Sequence, residues 1–172
     1  MQDTEIVNKV ARSSLISFDL ETIFPEGERI VLDIAPQLYM GLLLREKDFR
    51  EFIKVHDWNF YSGKNVAVIC SADAIVPVWA YMLIAAQLEP YAAYFVFGNE
   101  DALEQALWQR AIAGINAGDY ADAKIVIKGC SDKPVPVFAY TDICRVLRPV
   151  ASSIMYGEPC STVPVFKKQK QA

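Results

Sequence analysis

One phrase is written almost three times in this chain, and it constrains the fold more than any bulk property does. Cys70-Ser71 leads through Ala72-Asp73-Ala74-Ile75 to Val76-Pro77-Val78-Trp79-Ala80-Tyr81. Cys130-Ser131 leads through Asp132-Lys133-Pro134 to Val135-Pro136-Val137-Phe138-Ala139-Tyr140. Cys160-Ser161 leads through Thr162 to Val163-Pro164-Val165-Phe166. In the first two copies a compact β-rich run precedes the cysteine: Asn65 to Ile69 before Cys70, and Lys124 to Ile127 before Gly129-Cys130. Proline after the cysteine suits the first turn of a helix. The unit therefore reads as strand, Cys-Ser loop, proline-led helix. The third copy has no evident strand before it and no long helix after it.

The rest of the chain extends this pattern. Pro77 to Leu88 reads as a helix, and Ala92 to Phe97 as a strand ended by Gly98. Asn99 can cap a helix from Glu100 to Ile115, with Glu100 and Asp101 suited to the positive end of its dipole. Asn116-Ala117-Gly118-Asp119 stops that helix, and residues from about Pro136 to Ile154 read as largely helical with a break near Pro149. Near-continuous apolar strands alternating with helices predict a mostly parallel sheet in a three-layer α/β fold, covered on both faces. The first third differs. Thr4 to Val10 reads as a short capped helix. Ile16 to Leu20 alternates as a strand, Pro25 to Glu28 turns, and Arg29 to Ile34 returns, which predicts a β-hairpin. Phe49, Phe52 and Ile53 place a helix over Lys47 to His56. The expectation is one α/β domain over residues 1–172: a hairpin and helix extension over 1–63, then strand–helix repeats and a C-terminal tail.

Charge and hydropathy exclude several classes. The net charge of −4 argues against a general nucleic-acid binder, which would carry a basic excess. Met1 to Glu5 lacks the basic start and apolar run of a signal peptide. No segment reaches the roughly 18 uninterrupted apolar residues of a membrane span. A cytoplasmic location is expected. There the four cysteines are better read as free thiols or metal ligands than as disulfides. No G-x-G-x-x-G follows the first strand, so no nucleotide cofactor is expected. The G-x-S-x-G elbow of α/β-hydrolases is also missing.

In open parallel sheets ligands bind beyond the carboxyl ends of the strands, and right-handed crossovers bring those ends to one edge. Cys70 and Cys130 follow such ends, and each precedes a helix N-terminus that favours thiolate. Cys160 follows the Gly157-Glu158-Pro159 turn. Three thiolates would suit zinc with a fourth ligand, iron, or an iron–sulfur cluster. His56, the single histidine, is the candidate fourth ligand, although its place on an apolar helix face also suits a core histidine. Asp73 and Glu158 lie near cysteines; Asp73 can also cap a helix. Cys144 reads as core filler. Two other readings stand beside the metal site. One is a thiol-dependent enzyme acting on a small molecule at the sheet edge through Cys70 or Cys130. The other is a binding or scaffold protein whose cysteines pack.

The chain resembles domain of unknown function family 2480, found mainly in Bacteroidetes. The resemblance rests on Arg45-Glu46-Lys47-Asp48-Phe49-Arg50, His56-Asp57-Trp58, Cys70 through Pro77, Trp79-Ala80-Tyr81-Met82-Leu83, Lys128-Gly129-Cys130, and Ser153 through Pro164. It implies a setting among iron–sulfur cluster assembly functions, with assembly proteins as expected partners. It implies no reaction, substrate or oligomeric state.

Overall fold

The computed structural model describes residues 15–129, 132–158 and 160–169. Its strands are β1 (Leu15–Asp19), β2 (Arg29–Asp33), β3 (Asn65–Ile69), β4 (Tyr94–Phe97), β5 (Lys124–Lys128), β6 (Ser153–Glu158) and β7 (Ser161–Lys167). Its helices are α1 (Glu46–Val55), α2 (Val78–Leu88), α3 (Glu100–Ala113) and α4 (Val137–Leu147). The α/β class and the parallel pairing expected from the sequence are both present. The helix expected over Thr4 to Val10 lies outside the described residues. Among the described residues, no helix is long and apolar enough to cross a membrane.

The expected hairpin does not form. β1 pairs in parallel with β5, Leu15 opposite Lys124 and Asp19 opposite Lys128. β2 pairs in parallel with β3, Arg29 opposite Asn65 and Asp33 opposite Ile69. Alternation identified two half-buried strands correctly, but it carries no information about the partner. The strands fall into two sheets, ordered β2-β3-β4 and β1-β5-β6-β7. Among the described strands, only β7 runs antiparallel to its neighbour.

Residues Pro25–Trp108 form one compact unit, here the contiguous unit. The segments ending at Phe24 and beginning at Gln109 form the other, here the composite unit.

In the contiguous unit, Val66 and Val68 of β3 point to one face, where α1 and α2 cover them with Phe49, Ile53, Ala80, Ile84 and Leu88. Ala67 points to the opposite face, against Leu103 and Leu107 of α3. This is the period of two expected of a strand buried on both sides. α3 begins as expected, the Ala102 N–H donating to Asn99 Oδ1 at 3.0 Å.

From β5 onward the composite unit repeats the plan of β3 onward with a constant shift of residue number. Ala139, Ile143 and Leu147 of α4 are buried as Ala80, Ile84 and Leu88 of α2 are. The Ala151 N–H donates to the Leu147 carbonyl, as Ala92 does to Leu88. Gly98 after β4 and Gly157 in β6 both have positive φ, 141° and 118°. The first strands correspond as well. Asp19 and Asp33 end them, and each carboxylate accepts the N–H two residues on, from Glu21 at 3.0 Å and Ala35 at 2.9 Å. The three-fold phrase is the visible part of a two-fold repeat of strand, strand, helix, strand.

The third copy of the phrase is different in kind. Ser153 and Ile154, read as the end of a long helix, begin β6; α4 has already stopped at Leu147. Cys160 sits in the turn between β6 and β7, and Val163-Pro164-Val165 lies within β7. Pro164 is tolerated because β7 is the edge strand and its register shifts opposite Ile154 and Met155.

At Gly157 a Cβ would lie 2.5 Å from the Ser161 carbonyl oxygen, on a backbone that L residues avoid. Gly157→Ala is expected to destabilise the protein by about 1–3 kcal/mol. Urea denaturation checks this, a lower midpoint with unchanged slope being the expected outcome.

Candidate functional site

The carboxyl ends of the parallel strands carry the candidate residues of each unit. In the contiguous unit, β2 ends at Asp33 beside the Cys70-Ser71 loop. The Ile34 N–H donates to the Ile69 carbonyl at 3.0 Å, extending the ladder by one bond beyond the strand. The Asp33 carboxylate accepts from the Ser71 N–H at 3.0 Å and the Ser71 hydroxyl at 2.5 Å. Burial works to raise its pKa, but the hydrogen bonds from the Ser71 hydroxyl and the Ala35 and Ser71 N–H groups win and hold it below the usual value.

This latch sets the position of Cys70, which is half-buried, its Sγ 3.6 Å from the Ala72 carbonyl. Tyr81, in the first turn of α2, stands near enough for charge on Cys70 to matter. Burial and then that charge push the Tyr81 hydroxyl above its usual pKa. Its ring meets Phe97 edge-on at 4.7 Å. Asp73 caps no helix: Pro77 holds the N-cap of α2, without a side-chain hydrogen bond.

The composite unit has a more highly charged edge. Asp19, Lys128 and Glu158 lie at the ends of three adjacent strands. Lys128 Nζ is 3.4 Å from Asp19 Oδ2 and 3.9 Å from Glu158 Oε2. The Glu21 carboxylate accepts the Asp132 N–H, at 3.2 Å to each oxygen. The Tyr140 hydroxyl donates to the Gly129 carbonyl at 2.5 Å, and its ring meets Tyr156 edge-on at 5.7 Å. Cys160 is exposed at the tip of the β6–β7 turn. Cys130 follows Gly129 in the chain and lies outside the described residues.

His56 is at the C-terminal end of α1 in the contiguous unit. Its ring is 4.7 Å from those of Phe52 and Trp58, and its Nε2 is hydrogen-bonded to the Tyr61 hydroxyl at 3.0 Å. Burial lowers its pKa and so favours the neutral ring, opposed in part by the charge of Asp57. Among the described residues, no group of three or more His, Cys, Asp and Glu side chains is disposed to hold a metal.

Cys144, read as core filler, instead lines an open apolar cleft of about 530 Å3 with Thr141, Ile154 and Val165. The signal for this lay in the repeat: α4 carries the buried stripe of α2, and Cys144 falls one residue beyond Ile143, off that stripe.

The chain belongs to the family described as "Protein of unknown function (DUF2480)", which matches residues 4–168. No curated protein matches the chain, and no solved structure does.

The Asp33–Ser71 latch has a pH signature. Because the folded-state pKa of Asp33 is depressed, its contribution is fully present above the usual carboxylate range and is lost as pH falls through that range and below it. Ser71→Ala is expected to cost about 1 kcal/mol near neutral pH and to flatten the acid limb of stability. Denaturant titrations from neutral pH down to about pH 3 check it; an unchanged acid limb would remove the latch from the account.

Proposed function

Taking membership of that family as the premise, we propose that this is a thiolate-ligated metal- or iron–sulfur-binding protein, with Cys130 and Cys160 as ligands, accessory to cluster assembly. The observation that supports this reading is the parallel pairing of β5 with β6, Ile127 opposite Tyr156. That pairing brings Gly129, to which Cys130 is bonded, and the turn bearing Cys160 to the same edge of the sheet, one strand apart. Neighbouring strands are about 4.8 Å apart, a spacing that two thiolates can span to one ion.

Thiolate donors suit zinc, iron and iron–sulfur clusters. Two thiolates fill only part of a tetrahedral ion's coordination, or of a cluster's four cysteine positions. The vacancies fit a carrier that takes its cargo from one partner and passes it to another. Cys70 directly follows β3 of the contiguous unit and is not part of this proposal.

Protein purified without oxygen is expected to carry stoichiometric zinc or iron, or to take it up on reconstitution. Cys130→Ser and Cys160→Ser should each lower metal affinity by at least about 10–100-fold with circular dichroism unchanged. Elemental analysis and absorbance of the thiolate-to-metal bands read the outcome. A chain that holds no metal after reconstitution, or serine variants with unaltered metal content, would overturn the proposal.

A further inference from the structure

We infer that the cleft between α4 and the β6–β7 hairpin is a binding site for an uncharged, apolar small molecule. This inference stands apart from the thiolate reading. The cleft volume of about 530 Å3 lies within the range of small-molecule sites, roughly 300–1,000 Å3. Its walls are mainly aliphatic and aromatic, and no charged residue lines it among the described residues. An ionised group placed against these walls would lose part of its hydration without a charged partner among them, so the walls favour an uncharged occupant.

Two of the hydroxyls along the cleft are turned back on the backbone. The Thr141 hydroxyl donates to the Phe138 carbonyl at 2.8 Å, and the Tyr140 hydroxyl to that of Gly129. The Cys144 thiol adds a soft, weakly polar patch to an apolar wall.

The contiguous unit supplies an internal control. At the equivalent place, between α2 and β4, its cleft measures only about 220 Å3. Two of the differences between them bear on volume. Thr141 and Ile154 stand where Met82 and Phe95 line the smaller cleft. β7 adds Val165 as a further wall, whereas the other sheet ends at β4. The repeated fold therefore does not require the larger volume. At its rim Val137 is 80% exposed and Val165 is 55% exposed, apolar surface left facing water.

The test uses the full chain and the neutral fluorophore N-phenyl-1-naphthylamine, with 1-decanol as competitor. Saturable binding, displaced by decanol, is expected. Val165→Asp should weaken it by at least about tenfold, and Thr141→Met, which copies Met82, should weaken it in the same direction. Val163→Asp is the control: it lies on the same edge strand, is 61% exposed, and does not line the cleft. It should leave binding unchanged. Alkylation of Cys144, read by peptide mass spectrometry, should slow when decanol is present. Absence of saturable binding would overturn the proposal, as would equal losses from Val163→Asp and Val165→Asp. Self-association abolished by Val165→Asp, with no fluorophore bound, would also overturn it, assigning the cleft to a second copy of the chain.

Discussion

A parallel pair of strands cannot be closed by a tight turn, and both units of this protein are organised by that restriction. β2 reaches β3 only after the chain has run through α1, and β1 pairs with β5 only after the whole contiguous unit has been traversed. The helices that make these crossovers also cover the sheets. α2 and α4 each connect two parallel strands, and each buries a stripe at every fourth residue, Ala80-Ile84-Leu88 and Ala139-Ile143-Leu147. A helix that joins the strands and a helix that seals one face are the same element, so losing its apolar stripe would undo both pairing and core. The dependence on distant pairing also predicts slow folding relative to a helical bundle of this size, because loop closure precedes any gain from the β1–β5 contacts.

Much of this was legible in the residues, for identifiable reasons. β3 was readable from its continuous apolar run, because burial on both faces removes polar alternation. The start of α3 was readable because Asn99 has the cap chemistry its position requires. The partner of β1 was not readable: Ile16 to Leu20 and Arg29 to Ile34 flank a turn-like segment, and a local hairpin is the simplest reading of such a pattern. No ladder closes across the Pro25–Glu28 stretch, because β1 pairs with β5 and β2 with β3. β6 was hidden because Ser153 to Glu158 is short and follows a helix, so its apolar residues continued the helical pattern. β7 was hidden because Pro164 argues against a strand, an argument that fails at a sheet edge.

The repeated cysteine phrase carried both information and a trap. Its Val-Pro-Val-aromatic half is architectural, since Pro77 and Pro136 hold equivalent N-cap positions of α2 and α4. Its Cys-Ser half does not superpose in the same way. Ladder register places Ile69 opposite Asp33 and Lys128 opposite Asp19, so Cys70 follows its strand directly and Gly129 takes the corresponding place in the other unit. The two tyrosines show the consequence. Charge on Cys70 acts on Tyr81, whereas the Tyr140 hydroxyl binds the Gly129 carbonyl. A one-residue difference in spacer length therefore puts Gly129 where the other unit has Cys70, despite nearly identical words.

Once two units share a scaffold, the positions where they differ are the ones the fold leaves free. Ile69 and Lys128 are such a pair. Beside the first, the Asp33 carboxylate accepts from the Ser71 side chain, whereas the second draws Asp19 and Glu158 into a charged row. Met82 and Thr141 are another pair, as are Phe95 and Ile154, and β7 exists in one unit only. None of these differences is required to close a sheet or bury a helix, since the other unit does both without them. They gather at the strand-end edge and at the cleft of the composite unit. Exposed thiol, charged edge and enlarged apolar cleft thus coincide in the composite unit. That is where selection for binding, as opposed to selection for folding, would leave its mark.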